Sequence, residues 1–250
     1  MDEGLRRQYL AAMGIPLWLP RDAPEWEAPR QPVAAADPSP PPRPTRDIPR
    51  VPLATPMELP APTDLGWDEL QTRVADCRAC SDLVRSRSRT VFGVGNREAR
   101  LMVVGEAPGV DEDRQGEPFV GRAGQLLNRM LLAMGFPREQ VYIANILKCH
   151  PPGNRDPSCE EAGRCEPFLL RQMALVNPGL ILSVGRISAQ NLLKTDTPVG
   201  KLRGRVHYFG EQRIPLVVTY HPAYLLRQPE QKARAWQDLQ LALRTLRATD

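Results

Sequence analysis

The sequence predicts an α/β fold, a three-layer α/β/α sandwich around a mostly parallel, four-stranded sheet. Two observations carry the prediction. Four short apolar runs rich in β-branched residues are separated by helical patterns, and the runs lack the polar alternation of a half-exposed strand. Strands that alternate with helices form βαβ units, whose crossovers cover both faces of the sheet. A third observation sets the boundaries. Of the 27 prolines in 250 residues, fifteen fall between Pro16 and Pro62.

The N-terminal segment, residues 1–21, carries Leu5, Tyr9, Leu10 and Met13 as an amphipathic stripe. It is a candidate docking peptide for a protein partner, or a piece that packs back on its own domain. Residues 22–62 include Pro-Ser-Pro-Pro-Pro at 38–42 and show no apolar periodicity. Such a segment buries too little surface to offset its ordering entropy, so it reads as a disordered Pro-rich arm. Residues 63–250 are long enough for one domain with a real core.

Within that domain the first helix is expected near Trp67–Asp76 and the first strand at Leu101–Val104. A helix at Gly124–Met134 leads to the second strand, Val141–Ile146. Helix Cys159–Val176 precedes the third strand, Leu180–Val184. Helix Ile187–Leu193, strand Leu216–Thr219 and helix Lys232–Leu246 complete the order. Ligands of open α/β sheets bind beyond the carboxyl ends of the strands. Here those ends carry Gly105-Glu106-Ala107-Pro108-Gly109, Asn145 with Lys148-Cys149-His150-Pro151-Pro152, and Tyr220-His221-Pro222-Ala223. One cleft would collect them.

Composition excludes several classes. No run approaches the roughly 18–20 apolar residues of a membrane span. The charged start is followed by no long apolar stretch, unlike a secretory signal. Five cysteines is an odd number for a disulfide scaffold, so a reduced cytoplasmic protein is expected. Net charge is +4, and the part after residue 62 is the basic part. That mild bias suits a polyanionic partner without requiring one. The loop at Gly105–Gly109 lacks the Gly-Lys-Ser/Thr ending of a nucleotide P-loop, which ranks a phosphate-handling enzyme last.

Cys77 and Cys80 form a Cys-x-x-Cys pair, and Cys149 and Cys165 supply two further thiols. Four thiolates from three places in the chain read as a metal site that staples the N-terminal helix to the sheet, with zinc and an iron–sulfur cluster equally compatible with spacing. Cys159 is left over as an ordinary thiol.

Taken together, these residues resemble a known family. The chain from about 67 to 248 is similar to the family-4, iron–sulfur uracil-DNA glycosylases. Five features carry the resemblance: Cys77-x-x-Cys80; Gly105–Gly109 leading through Glu112-Asp113 to Gly116–Gly124; Asn145–Cys149 with Pro151–Arg155; Glu160-Glu161 before Cys165; and His221-Pro222-Ala223 before Leu225, Leu226 and Arg227. The resemblance implies release of uracil from DNA by a monofunctional hydrolase of base excision repair, acting as a monomer in the bacterial cytoplasm or nucleoid. It also implies a [4Fe-4S] cluster on Cys77, Cys80, Cys149 and Cys165.

The same resemblance assigns roles. Phe119 would stack beneath a flipped uracil, its place between Pro118 and Gly121 favouring exposure, and Asn145 would read the base. His221 would stabilise charge on uracil O2, and Glu106 and Asn154 are candidates to position the water. Ala107 would line the base recess and Glu112 would crowd uracil C5. Gly121, Gly124 and the helix they open would offer backbone N–H groups to a DNA phosphate. Leu225, Leu226 and Arg227 would wedge into the duplex. Apart from the resemblance, Arg85, Arg87 and Arg89 alternate in a loop and read either as contacts to the DNA backbone or as solvated charge. His150 stands where relatives often carry Arg, and the histidine-containing basic insertion of covalent-trapping relatives is missing, so turnover is expected. The competing reading is a non-catalytic, metal-stapled nucleic-acid-binding module.

Overall fold

The computed structural model describes residues 3–12 and 64–248. The proposed Pro-rich linker 22–62, and most of the docking segment 1–21, lie outside the described residues.

The sheet has six strands in the order β1-β3-β2-β4-β6-β5: β1 (Val94–Gly95), β2 (Leu101–Gly105), β3 (Tyr142–Asn145), β4 (Leu180–Val184), β5 (Val206–Phe209) and β6 (Ile214–Thr219). The four central strands are mutually parallel, as their apolar runs predict. The expectation of four strands is corrected by the two edges, where β1 pairs antiparallel with β3 and β5 antiparallel with β6. Both edge strands escape an apolar reading for a physical reason. β1 is two residues long, and β5 is a partly exposed Val-His-Tyr-Phe that borrows its order from the free edge of β6.

Alternating side chains of the central strands feed two cores. Leu101, Val103, Ile143, Leu182 and Val217 pack under α5 (Arg122–Met134) and α10 (Lys232–Ala248). Met102, Val104, Ala144, Ile181 and Val218 pack under α6 (Cys159–Val176), α7 (Arg186–Leu193) and α8 (Val199–Leu202). This is the expected α/β/α sandwich. The N-terminal helix α1 (Glu3–Ala12) contributes Leu10, buried in the first core.

Several helix ends are written locally. α6 starts at Ser158, whose hydroxyl accepts from the Glu161 amide at 3.1 Å, while Glu161 accepts from the Ser158 amide at 2.9 Å. That reciprocal capping box defines the start of the helix. Arg155 donates to both Glu161 oxygens, at 2.8 and 2.6 Å, and fastens the preceding loop to the helix. The Arg155 guanidinium and the cap hold the Glu161 carboxyl down at about 2. The remaining helices are α2 (Trp67–Ala75), α3 (Ser81–Ser86), α4 (Val110–Gln115) and α9 (Pro222–Arg227). Among the described residues, no helix is long and apolar enough to cross a membrane.

Candidate active site

The parallel strands point their carboxyl ends at one edge of the sheet, and the site forms there. β2 runs out into Glu106, whose carbonyl accepts from the Leu147 amide at 3.0 Å, extending the β2–β3 pairing past Asn145. β4 ends at Gly185 (φ 97°) and β6 leads into Tyr220 and His221. Together they line a cavity of about 730 Å³, shared by Glu106, Ala107, Glu112, Phe119, Asn145, Asn154, His221 and Arg227. The four loops that chain order keeps apart are thus neighbours in space.

Phe119 is held in the left-handed region (φ 54°), and its loop is pinned from two sides. The Glu112 carboxylate accepts from the amides of Gly109 (3.1 Å), Val120 (2.9 Å) and Gly121 (3.1 Å). Arg138 donates to the carbonyls of Pro118 (2.5 Å) and Phe119 (3.3 Å). Backbone strain of this kind persists only where its surroundings over-determine it. The Phe119 ring lies 5.6 Å from the His221 ring, tilted by 32°. Contrary to the expected exposure, Phe119 is only 6 % exposed and belongs to the first core, so only part of the ring faces the cavity.

Asn145 is 2 % exposed, and its Oδ1 is buried with no hydrogen-bond partner among the described residues. An orphaned buried acceptor costs free energy until something donates to it. Its main chain, by contrast, is fixed from below. Buried Lys148 donates through Nζ to the Asn145 carbonyl (2.9 Å) and to Gln172 Oε1 (2.6 Å). Burial lowers the Lys148 ammonium to about 8.

His221 caps α9, its Nδ1 accepting from the Ala223 amide at 3.1 Å. Burial, with Arg227 nearby, lowers the imidazole to about 4. It is therefore neutral near pH 7, and with Nδ1 accepting, its proton sits on Nε2. Glu106 behaves oppositely: burial, with Asp156 adding to it, raises its carboxyl to about 7, against the pull of Arg186. Arg186 and Asp156 form an ion pair on the same cavity wall. Asn154 (φ 54°) reaches the cavity from the turn at Pro152–Asn154, its Oδ1 3.1 Å from His150 Nε2.

Two glycines are required by close approach. A Cβ on Gly105 would lie 2.4 Å from Asn145 Oδ1 and 2.6 Å from Phe119 Cζ. A Cβ on Gly124 would lie 1.8 Å from the Phe119 carbonyl oxygen. Gly105→Ala is expected to lower kcat/KM at least tenfold, because both side chains must move and a small misplacement is costly at a reacting centre. Steady-state kinetics on the uracil-containing DNA that the resemblance implies as substrate checks this, and wild-type values would show that the recess yields without loss.

Other expected site residues are placed differently. The Gly121 amide is taken by Glu112 and is not free for a phosphate. Gly124 is buried against the Phe119 loop, so its role is packing. Leu225 is 1 % exposed and lies in the first core, which removes it as a wedge, whereas Leu226 is exposed. Arg85 stands on α3 rather than in a loop and pairs with Asp82. Arg87 turns inward, donating to the Cys77 carbonyl (2.6 Å) and to Cys149 Sγ (2.8 Å). Arg138 and Gln172 had no sequence signal, since each acts on segments distant in sequence, and Lys148, though named in its loop, gave no sign that it would brace the Asn145 carbonyl.

The cysteine expectation is also corrected. Cys77, Cys80, Cys149 and Cys165 line a small cavity of about 20 Å³. Among the described residues, no group of three or more His, Cys, Asp or Glu is arranged to hold a metal ion. Cys149 and Cys165 are engaged as hydrogen-bond acceptors, the latter from the Lys148 amide at 3.3 Å. Burial pushes the Cys165 thiol up to about 12 and also raises Cys80 and Cys149. These residues do not fit the implied [4Fe-4S] cluster or zinc; they sit in two small apolar clusters with Leu70, Leu83, Leu147 and Phe168.

Comparison with known proteins agrees with the cavity. The family model of the uracil DNA glycosylase superfamily matches residues 92–240. The type-4 uracil-DNA glycosylase of Archaeoglobus fulgidus is 43% identical over 169 residues, covering 65% of this chain and 84% of the relative. The chain belongs to the type-4 uracil-DNA glycosylase family. The type-4 enzyme of Thermotoga maritima is 41% identical over 164 residues, 65% of this chain and 84% of the relative. A type-5 uracil-DNA glycosylase of Pyrobaculum aerophilum is 30% identical over 196 residues, 65% of this chain and 85% of the relative. The region matched by the family model holds every loop of the candidate active site of this type-4 family member.

Proposed function

We propose that the chain is a hydrolase of base excision repair that cleaves the N-glycosidic bond of uracil in DNA and leaves an abasic site. The observation that carries this reading is the unpartnered amide oxygen of Asn145 in a cavity shared with Phe119, His221 and Glu106. The type-4 relatives, each a uracil-DNA glycosylase, support it.

A base inside a duplex is out of reach, so the uracil nucleotide must be extruded into the recess. Phe119 offers its ring to the base. Asn145 Oδ1 accepts from N3–H and the amide nitrogen donates to O4. Cytosine carries the reverse pattern at both atoms and would leave buried groups unpaired, which is a strong basis for rejection. Ala107 and Glu112 complete the wall.

As the bond from C1′ to N1 breaks, its electron pair leaves with the base, and the sugar becomes oxocarbenium-like. Negative charge develops on uracil O2, where the neutral His221 donates from Nε2. A fixed donor aimed at developing charge is worth most in the transition state. Water adds to C1′, and its proton passes to the Glu106 carboxylate. Asn154, tied to His150, is the second group toward that water. Exposed Leu226 is the candidate for insertion, and Arg227, on the cavity lining, the candidate for a phosphate contact.

Alkali-labile breakage of a uracil-containing oligonucleotide, confined to the uracil position, is the expected result. Breakage no higher than in an enzyme-free control would overturn the reading. The rate is expected to rise with pH through about 7, because the Glu106 carboxyl is raised to that value and only its ionised form takes a proton. Asp156→Asn removes a charge that raises Glu106 and should move this limb to lower pH; an unmoved limb would mean another group titrates.

A further inference from the structure

The cavity is larger than one pyrimidine needs. At about 730 Å³ it falls in the range of roughly 300–1,000 Å³ that holds drug-sized ligands. Beyond the residues already used, its wall includes Tyr220, Tyr224, Pro198 and Val199. These are apolar or aromatic surfaces, and nothing in the uracil reaction engages them.

The two tyrosines flank His221 in sequence and form a ring pair, with centroids 5.1 Å apart and planes inclined by 35°. Tyr220 is braced from behind. The Arg203 guanidinium sits 5.5 Å from its ring centroid, and Arg203 Nε donates to buried Asp238 at 2.9 Å. Thr219, the residue before Tyr220, donates to the same Asp238 oxygen at 3.0 Å. A cation on an aromatic face, itself anchored by a carboxylate, holds the ring where it is. Both rings are partly buried, so part of each packs on the core and part meets the cavity.

We propose that Tyr220 and Tyr224, with Pro198 and Val199, form a second base subsite that takes the nucleobase adjoining the uracil on the same strand. The inference rests on the glycosylase reading and extends it. Continuity with the recess identifies the occupant: a strand that delivers its uracil onto Phe119 with O2 toward His221 carries its neighbour along the wall contiguous with His221. Aromatic faces accept any base, so the subsite is tolerant of sequence. Arg186 and Arg227, on the same cavity wall, are placed to meet the strand's phosphates.

The test compares kcat/KM for single-stranded oligonucleotides in which the base on one side of the uracil, 5′ or 3′, is replaced by a tetrahydrofuran abasic unit. Loss of the base on one of the two sides is expected to lower kcat/KM by roughly 5- to 100-fold, the scale of one base–aromatic stack. Exchanging that base among the four should change it little. Tyr224→Leu is expected to bring the ratio of intact to abasic-flanked substrate close to one, whereas Tyr224→Phe keeps it. Wild-type protein indifferent to the abasic unit on both sides would overturn the subsite, whether or not the variants fold. So would a folded Tyr224→Leu variant with the wild-type ratio. Failure to release uracil from any substrate would strike the glycosylase reading instead, so the two failures are distinguishable.

Discussion

Replacing His221 with alanine should lower kcat by roughly 10²–10³-fold, the usual cost of losing one preorganised donor to a developing oxyanion, with KM changed far less. The reason is the protonation state that the fold imposes. An exposed histidine, with its ordinary value near 6.5, would change charge close to working pH. Here burial and the neighbouring Arg227 lower it to about 4, so the imidazole is neutral across the whole range in which Glu106 titrates. The amide of Ala223 fixes the tautomer by occupying Nδ1. The donor is thus present in every enzyme molecule at pH 7, and its removal takes away no group that titrates near neutrality. The limb near pH 7 should accordingly persist in the alanine variant at a lower rate. Disappearance of that limb would assign it to His221 rather than Glu106. Because His221 also caps α9, the variant should be melted alongside the wild type; loss of a cap costs about 1 kcal/mol and does not imitate a specific loss of kcat.

Asn145→Asp is expected to lower kcat/KM for uracil by 10³-fold or more and to narrow the preference for uracil over cytosine. A site built to hydrogen-bond its ligand discriminates by roughly 10⁴–10⁵ through the groups it would otherwise leave unpaired. The carboxylate keeps an acceptor for N3–H but places a second acceptor against O4. Protonated, it would donate to cytosine N3 and accept from the cytosine amino group. The position makes the exchange consequential: Asn145 is 2 % exposed, so water cannot rescue a mismatch. Parallel rates on uracil- and cytosine-containing strands measure the ratio. A ratio equal to that of the wild type would remove Asn145 as the group that reads the base.

The central strands were legible because burial on both faces demands continuous apolar runs; Leu180–Val184 and Leu101–Val104 are such runs and are fully buried, with β2 running one residue further to Gly105. Helix α6 was legible to its ends, Cys159 and Val176. The site was legible as far as topology carries it. Parallel strands share one carboxyl edge, so Glu106, Asn145 and His221 had to be neighbours once the order of elements was known.

What chain order could not disclose was which group stands opposite which. The Gly121 amide looks free for a phosphate until Glu112 is found beside it. Leu225 and Leu226 are adjacent and alike, yet the turn of α9 sends one into the core and leaves the other in water. Four cysteines at ligand-like spacing line one small cavity without forming a metal-holding group among the described residues, and Cys149 and Cys165 accept from Arg87 and the Lys148 amide instead, because spacing specifies separation along the chain and says nothing of three-dimensional arrangement. Periodicity along the chain determined the layers and the edge at which chemistry could gather. The packed structure alone decided protonation states, partners and access, since these depend on contacts between residues far apart in sequence and on the water those contacts exclude.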